Sequence, residues 1–193
     1  AFYFDIRKDI LYCDDLNTKK RINCITVLSI ILKFLLKWFS PILVFTCEEI
    51  YQIIKKNNSK ESIFLCDFPK FPEQWFNEKI NEKWIFLKTL RSEINNYIEQ
   101  KRNEKIIGSG LECSVHISLD NKYNTHLSDI DLAELFICSE VTIDNKEKKF
   151  QEIKSEGSID TLKVIVEKAE GSKCTHCWKV LKNKCNRNNC GIN

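Results

Sequence analysis

Four cysteines packed into the last part of the chain, Cys174, Cys177, Cys185 and Cys190, constrain its fold more than any other feature. Their spacing is C-x2-C-x7-C-x4-C. The stretch they punctuate is too short and polar to bury a core, so a cross-link must supply its folding energy. A C-x2-C turn presents two sulfurs to one side of a tetrahedral ion, and the intervening residues allow the chain to return with a second pair. Lys173, Lys179, Lys182, Lys184 and Arg187 lie in the same stretch with no acid, which offsets the negative charge of four thiolates around Zn²⁺. Two disulfides and four free thiols are the competing readings. We read a single structural Zn²⁺ with Cys174, Cys177, Cys185 and Cys190 as ligands and His176 as a spacer. A site closed by four ligands leaves no coordination position for catalysis.

The other six cysteines (Cys13, Cys24, Cys47, Cys66, Cys113, Cys138) stand singly among apolar residues. In a reducing compartment they serve as small buried hydrophobes, so a cytoplasmic location is expected. The net charge is +3, and residues 171–193 contribute +5, leaving −2 for the other 170 residues. The chain has no methionine, even at position 1, and no secretory n-region or cleavage pattern, so a piece of a longer, non-secreted protein is expected. Residues 25–45 are apolar, but Lys33 and Lys37 sit inside them one helical turn apart. Each would cost roughly 2.5–3.5 kcal/mol at a bilayer centre. A bundle helix with a narrow wet stripe explains the same pattern, and no membrane is expected.

Three textures divide the chain. Over residues 1–105 the periodicity is helical, with Ile22, Ile25, Leu28, Leu32, Leu35 and Phe39 forming one apolar stripe. Ser40-Pro41 interrupts it, and Thr46 to Glu49 fits a capping box for the next helix. A prolyl linker follows, then a long helix with Trp84, Leu87, Leu90, Ile94 and Ile98 on one face. Antiparallel packing would bury these stripes. Residues 106–170 change period after Gly108–Gly110. Cys113, Val115, Ile117 and Leu119 alternate as in a half-buried strand, and so do Leu162, Val164 and Val166. A short helix and strand lie over residues 131–143, and residues 144–158 read as a charged exposed loop. Residues 171–193 are the zinc module. The expected fold class is mainly α: a helical bundle, a small α/β domain and a short zinc-binding knuckle.

Tyr3 to Asp14, Thr26–Leu28 and Trp38–Tyr51 resemble the anticodon-binding helical domain of class I aminoacyl-tRNA synthetases of the isoleucine/valine/leucine/methionine group. Phe68-Pro69, Lys83–Glu112 and Lys168–Trp178 narrow the resemblance to the bacterial-type isoleucyl-tRNA synthetases, in which a helical domain, a small mixed domain and a cysteine zinc module follow in this order. The last cysteine pair departs from the second C-x2-C usual there. Valyl relatives end in a coiled-coil arm, which has no counterpart here.

The resemblance implies a parent enzyme, monomeric, that ligates isoleucine to its tRNA using ATP. It also implies that this chain lacks the ATP-binding signatures and the editing domain. No catalytic residue is therefore expected, since His116, His126 and His176 form no constellation with a nucleophile. The implied partners are the anticodon stem-loop of isoleucine tRNA and the catalytic body of the same polypeptide. Single-stranded loops are held by stacking and by cations on phosphates. The expected RNA contacts are Lys173, Trp178, Lys179, Lys182 and Arg187 in the zinc module, with Arg7, Lys8, Arg91, Lys101 and Arg102 on the helices. Arg91 and Arg102 lie three turns apart on one face. Trp178 serves equally as the module's own apolar plug, and the Arg7–Asp9 stretch equally as an internal ion pair. The rival reading is a stand-alone zinc-ribbon adaptor that binds RNA or protein.

Overall fold

The computed structural model describes residues 2–57, 59–143, 159, 161–185, 187 and 190, so the loop expected over residues 144–158 lies outside the described residues. The chain divides into two compact units, one made of residues 1–15 and 78–193, the other of residues 16–77. The segment 1–105 is thus shared between units, because its last long helix packs on a sheet.

In the first unit, α1 (Phe2–Cys13) buries Ile6, Ile10 and Cys13 along one face, the three- and four-residue spacing of a helical stripe. Helix α4 (Glu78–Asn103) buries Leu87, Leu90, Ile94 and Ile98, as its periodicity predicts, with Trp84 packed beside them. Their partner is a three-stranded sheet of order β2-β1-β3, formed by β1 (Cys113–Ser118), β2 (Glu140–Ile143) and β3 (Lys163–Lys168). Strand β1 runs antiparallel to β3 and parallel to β2. The parallel step is bridged by two short helices, α5 (Asn124–Leu127) and α6 (Leu132–Phe136). Cys113, Val115 and Ile117 alternate into the core, where Leu162 and Val164 meet them. Helix α6 is capped by the Asp131 side chain, which accepts from the Glu134 N–H at 3.1 Å. A two-stranded hairpin of β4 (Ser172–Lys173) and β5 (Val180–Leu181) completes the unit.

The second unit holds α2 (Lys19–Phe39) and α3 (Val44–Ile54). The Thr18 side chain caps α2 at the Arg21 N–H. The expected capping box at Thr46–Glu49 does not form. Helix α3 starts at Val44 with no side-chain cap, and the Glu48 carboxylate instead accepts from Ser62 Oγ at 2.9 Å and from the Ile63 N–H at 3.0 Å. Glu48 thereby pins the linker to α3, and the hydrogen bond from Gln52, followed by those from Ile63 and Ser62, holds its carboxyl below the usual range. The small core is Leu36, Cys47 and Ile63, with Ile50 and Tyr51 against it. The α2 stripe has the expected helical period but not the expected cover: within the chain only Cys24 and Leu36 are buried, and Ile22, Ile25 and Phe39 stay largely exposed. Among the described helices α2 alone is long and apolar enough to cross a membrane, a test that the core helix of a soluble protein also passes. Five of the six scattered cysteines are buried, and Cys66 is half-buried.

Candidate metal centre and nucleic-acid interface

Hairpin β4–β5 presents the first thiol pair. The Cys174 N–H donates to the Lys179 carbonyl at 2.9 Å and the Trp178 N–H to the Cys174 carbonyl at 3.0 Å, closing the C-x2-C turn. Trp178 adopts the left-handed region at φ 63°, which turns the chain into β5. Gly171 sits at φ 128°, and a side chain there would place its Cβ 2.1 Å from the Leu181 carbonyl oxygen. Only glycine fits that approach.

After β5 the chain returns with Cys185 and Cys190. The four sulfurs of Cys174, Cys177, Cys185 and Cys190 all lie within 4.8 Å of one another. Zn–S bonds of about 2.3 Å in a tetrahedron require sulfurs roughly 3.8 Å apart, so the donor set fits a tetrahedral ion after small side-chain adjustment. The thiols differ in their surroundings. Backbone N–H groups, first of Cys177 and then of His176, bring the Cys174 thiol down to about 7. Burial raises Cys177, and burial with a hydrogen bond to Cys185 raises Cys190. The Cys174 thiolate forms readily while Cys177 and Cys190 resist, so a divalent cation is what would make the full set ionise.

A neighbour that no spacing pattern reveals stands beside this set. Cys13, from the end of α1, forms with His176 and Cys190 a second group whose ligand atoms also lie within 4.8 Å of one another. Burial and the Asp9 carboxylate push the Cys13 thiol up to about 11. Its only sequence signal is its place on the α1 stripe with Ile6 and Ile10, which reads as packing. His176 Nε2 lies 3.3 Å from the Tyr12 carbonyl oxygen.

The cations expected to meet RNA divide sharply. Arg187 makes a two-pronged ion pair with Asp9 at 2.7 and 2.9 Å, and Lys179, only 8% exposed, joins the same carboxylate at 3.2 Å. Burial alone would raise the Asp9 pKa, but these two cations outweigh it and hold it below the usual range. Arg187 is raised in turn by its hydrogen bonds to Asp9. Arg7 pairs with Glu134. Arg91 donates to Asp5 Oδ2 and to the Leu135 carbonyl, both at 2.7 Å. These four cations join elements of the first unit; Arg7 and Asp9 are each paired, but with Glu134 and with Arg187 and Lys179 rather than with one another. Arg91 and Arg102 consequently have different surroundings despite their spacing on α4. Arg102 pairs locally with Glu99 at 2.6 Å, Lys101 with Glu104 at 2.7 Å and Lys8 with Asp5 at 3.2 Å. Lys173 pairs with Glu112 at 2.7 Å, and Lys182 stays exposed with Glu170 and Glu140 at 3.9 and 4.0 Å. Trp178 is 61% exposed, with only its Nε1 tied to the Thr175 carbonyl.

Residues 1–117 match the anticodon-binding domain of tRNA ligase. Similarity to whole proteins extends further. The isoleucine–tRNA ligase of Pelagibacter ubique is 43% identical over 187 residues, covering 97% of this chain and 19% of the relative. Those of Petrotoga mobilis and Agrobacterium fabrum are 37% and 36% identical, covering 92% and 93% of this chain and 19% and 18% of theirs. The chain thus spans about a fifth of the length of the relatives it matches. Since the family match takes in more than half of its residues, the chain belongs to the anticodon-binding domain family of tRNA ligases.

Proposed function

We propose that this chain is the anticodon-reading end of an isoleucine–tRNA ligase, holding the anticodon stem-loop of isoleucine tRNA while ATP-dependent ligation proceeds elsewhere in the same polypeptide. The observation that carries this reading is the anticodon-binding match of residues 1–117, continued nearly to the end of the chain by similarity to isoleucine–tRNA ligases. Each described histidine has a local partner: His116 is engaged by Thr142, His126 lies against Phe86 and His176 faces Tyr12.

Zn²⁺ held by Cys174, Cys177, Cys185 and Cys190 supplies folding energy for the module, with every position filled by a protein thiolate. Trp178 offers a face for a base, while Lys173, Lys182, Lys101, Arg102 and Lys8 exchange weak surface pairs for phosphates. Arg7, Arg91, Lys179 and Arg187 contribute by holding the surface in shape.

The test is a gel shift of the zinc-loaded chain at fixed salt against isoleucine tRNA, the same tRNA with its anticodon swapped, and valine tRNA. Tighter binding to the first by about tenfold or more is expected, because unstacked loop bases are read on their edges. Equal binding to all three would overturn anticodon reading. One zinc per chain by elemental analysis is expected, and two disulfides by mass spectrometry would overturn the metal.

A further inference from the structure

Among the described residues, two groups of cysteine, histidine or acidic side chains bring three or more ligand atoms within 4.8 Å of one another: the four clustered thiols, and Cys13 with His176 and Cys190. Cys190 belongs to both groups. Together they offer six donors, five thiols and one imidazole. A single tetrahedral ion takes only four of them. Two tetrahedra that share one vertex have seven corners, so two ions sharing Cys190 would fill six with protein and leave one open. Two metal–sulfur bonds of about 2.3 Å meeting at the shared sulfur put the ions roughly 3.7 Å apart, the spacing of two-metal sites.

The end of α1 suits a cation. Cys13 is the last residue of that helix, where the dipole presents its negative end. Tyr12, just before it, has one of the terminal carbonyls that no N–H of the helix reaches, and its oxygen lies 3.3 Å from His176 Nε2. A carbonyl only accepts, so Nε2 carries the proton and Nδ1 keeps the lone pair that binds a metal. A histidine ligand whose other nitrogen donates to a carbonyl is oriented as metal-bound histidines are. Charge agrees. Five thiolates around two divalent ions carry −1, less than the −2 of four thiolates around one. Arg187, whose charge would oppose a second cation, is paired with the Asp9 carboxylate at 2.7 and 2.9 Å. Packing explains the buried Cys13, but not why the exposed His176 turns its ring to the same helix end.

We propose that Cys13, His176 and Cys190 hold a second thiophilic divalent cation of the zinc group, with the Cys190 sulfur shared between it and the ion of the four-thiolate site. The proposal rests on the zinc reading of the cysteine module and adds a site to it. With one corner left to water and one sulfur shared, this ion binds more weakly than the first and exchanges with the medium. Desalting leaves one zinc per chain, and the second ion enters when free metal is supplied. Once filled, the site ties the end of α1 to the cysteine module through metal–ligand bonds as well as through packing.

The full chain is loaded under reducing conditions with one equivalent of ¹¹³Cd²⁺ in place of zinc, then titrated with more and followed by ¹¹³Cd NMR. The unaltered chain is expected to show two resonances, the second growing in only after the first is complete. The four-sulfur ion lies at higher frequency than the ion with two sulfurs and a nitrogen, and splitting of each by the other reports the shared Cys190 sulfur. Cys13→Ser and His176→Gln should each keep the first resonance and weaken binding of the second ion by more than about 100-fold, since a ligand costs more than an outer-shell group. His176 is exposed, so its variant tests the site without touching the core, and circular dichroism confirms that each protein is folded. A single resonance from the unaltered chain at excess cadmium overturns this site and leaves the four-thiolate one standing. Two resonances that persist in both variants place the second ion elsewhere and overturn it too. Loss of both ions in Cys13→Ser would make Cys13 a ligand of the first ion, again against a second site. Failure of the unaltered chain to bind any cadmium overturns the zinc reading as well.

Discussion

At the scale of residues, the thiols near α1 make the sharpest predictions. Cys185→Ser removes one of four proposed ligands and should lower zinc affinity by more than the roughly 10–100-fold that outer-shell changes cost. Cys13→Ser should leave the metal in place, because four thiolates already close a tetrahedron. Cobalt substitution, read from the thiolate-to-metal absorption, checks both, and loss of that band in the Cys13 variant would place Cys13 in the ligand set. Asp9 makes a different case. Replacing it with Asn leaves the buried Lys179 without its counter-charge and Arg187 with Asp14 alone at 3.6 Å, and should cost about 1–3 kcal/mol in urea denaturation. The pKa of Asp9 is lowered in the folded state, so its contribution is present above the ordinary aspartate value of about 3.9 and is lost as pH falls through the folded value. Acid unfolding of the Asp9→Asn variant should therefore be flatter below about pH 4 than that of the unaltered chain. The sequence showed the four clustered cysteines because their ligands are neighbours in the chain. It concealed Cys13, Asp9 and the pairing of Arg187, since contacts between distant residues leave no periodic trace.

Elements were legible wherever their own periodicity decides their form. The stripe of α4 and the alternation of β1 were read correctly because each has a partner within the chain. The stripe of α2 was read with the right period and the wrong cover, since period tells which residues share a face and not what lies against it. Truncation should separate the two helices. Ile94→Ala, at a fully buried position, should cost about 2–5 kcal/mol, whereas Ile25→Ala on exposed α2 should cost about 0.5 or less in the isolated chain. Equal thermal shifts in the two variants would show α2 covered in solution. Turn chemistry at the hairpin was missed as well. Gly171→Ala should disrupt β4–β5 pairing, since the added Cβ meets the Leu181 carbonyl, and the loss would be read as weakened zinc retention against a chelator.

For the whole molecule, the main core and the cysteine module are built from different residues. The large core between α4 and the three-stranded sheet contains none of the four clustered cysteines. Chelation should therefore leave most of the far-ultraviolet helicity intact while changing the emission of Trp178 and lowering RNA affinity. Simultaneous loss of helicity and metal would instead make the module a keystone of the entire first unit. The helices and the small mixed sheet were visible in the succession of periods, helix then strand. The placing of charge was not: the basic tail drew attention by its composition, while Lys33, Lys37, Lys60 and Lys70 are dispersed along the chain and line one cavity only when α2, α3 and their linker fold.

The bond between Asp9 and Arg187 spans 178 positions of sequence. A ribosome adding about 5–20 residues per second would need roughly ten to forty seconds to cross that interval. For that time α1 can be helical, but Asp9 on it and Asp14 just after it have no Arg187 guanidinium to meet. Helix α1 is thus fixed only once the cysteine module has been made, and a change that removes Arg187 would loosen α1 as surely as the module.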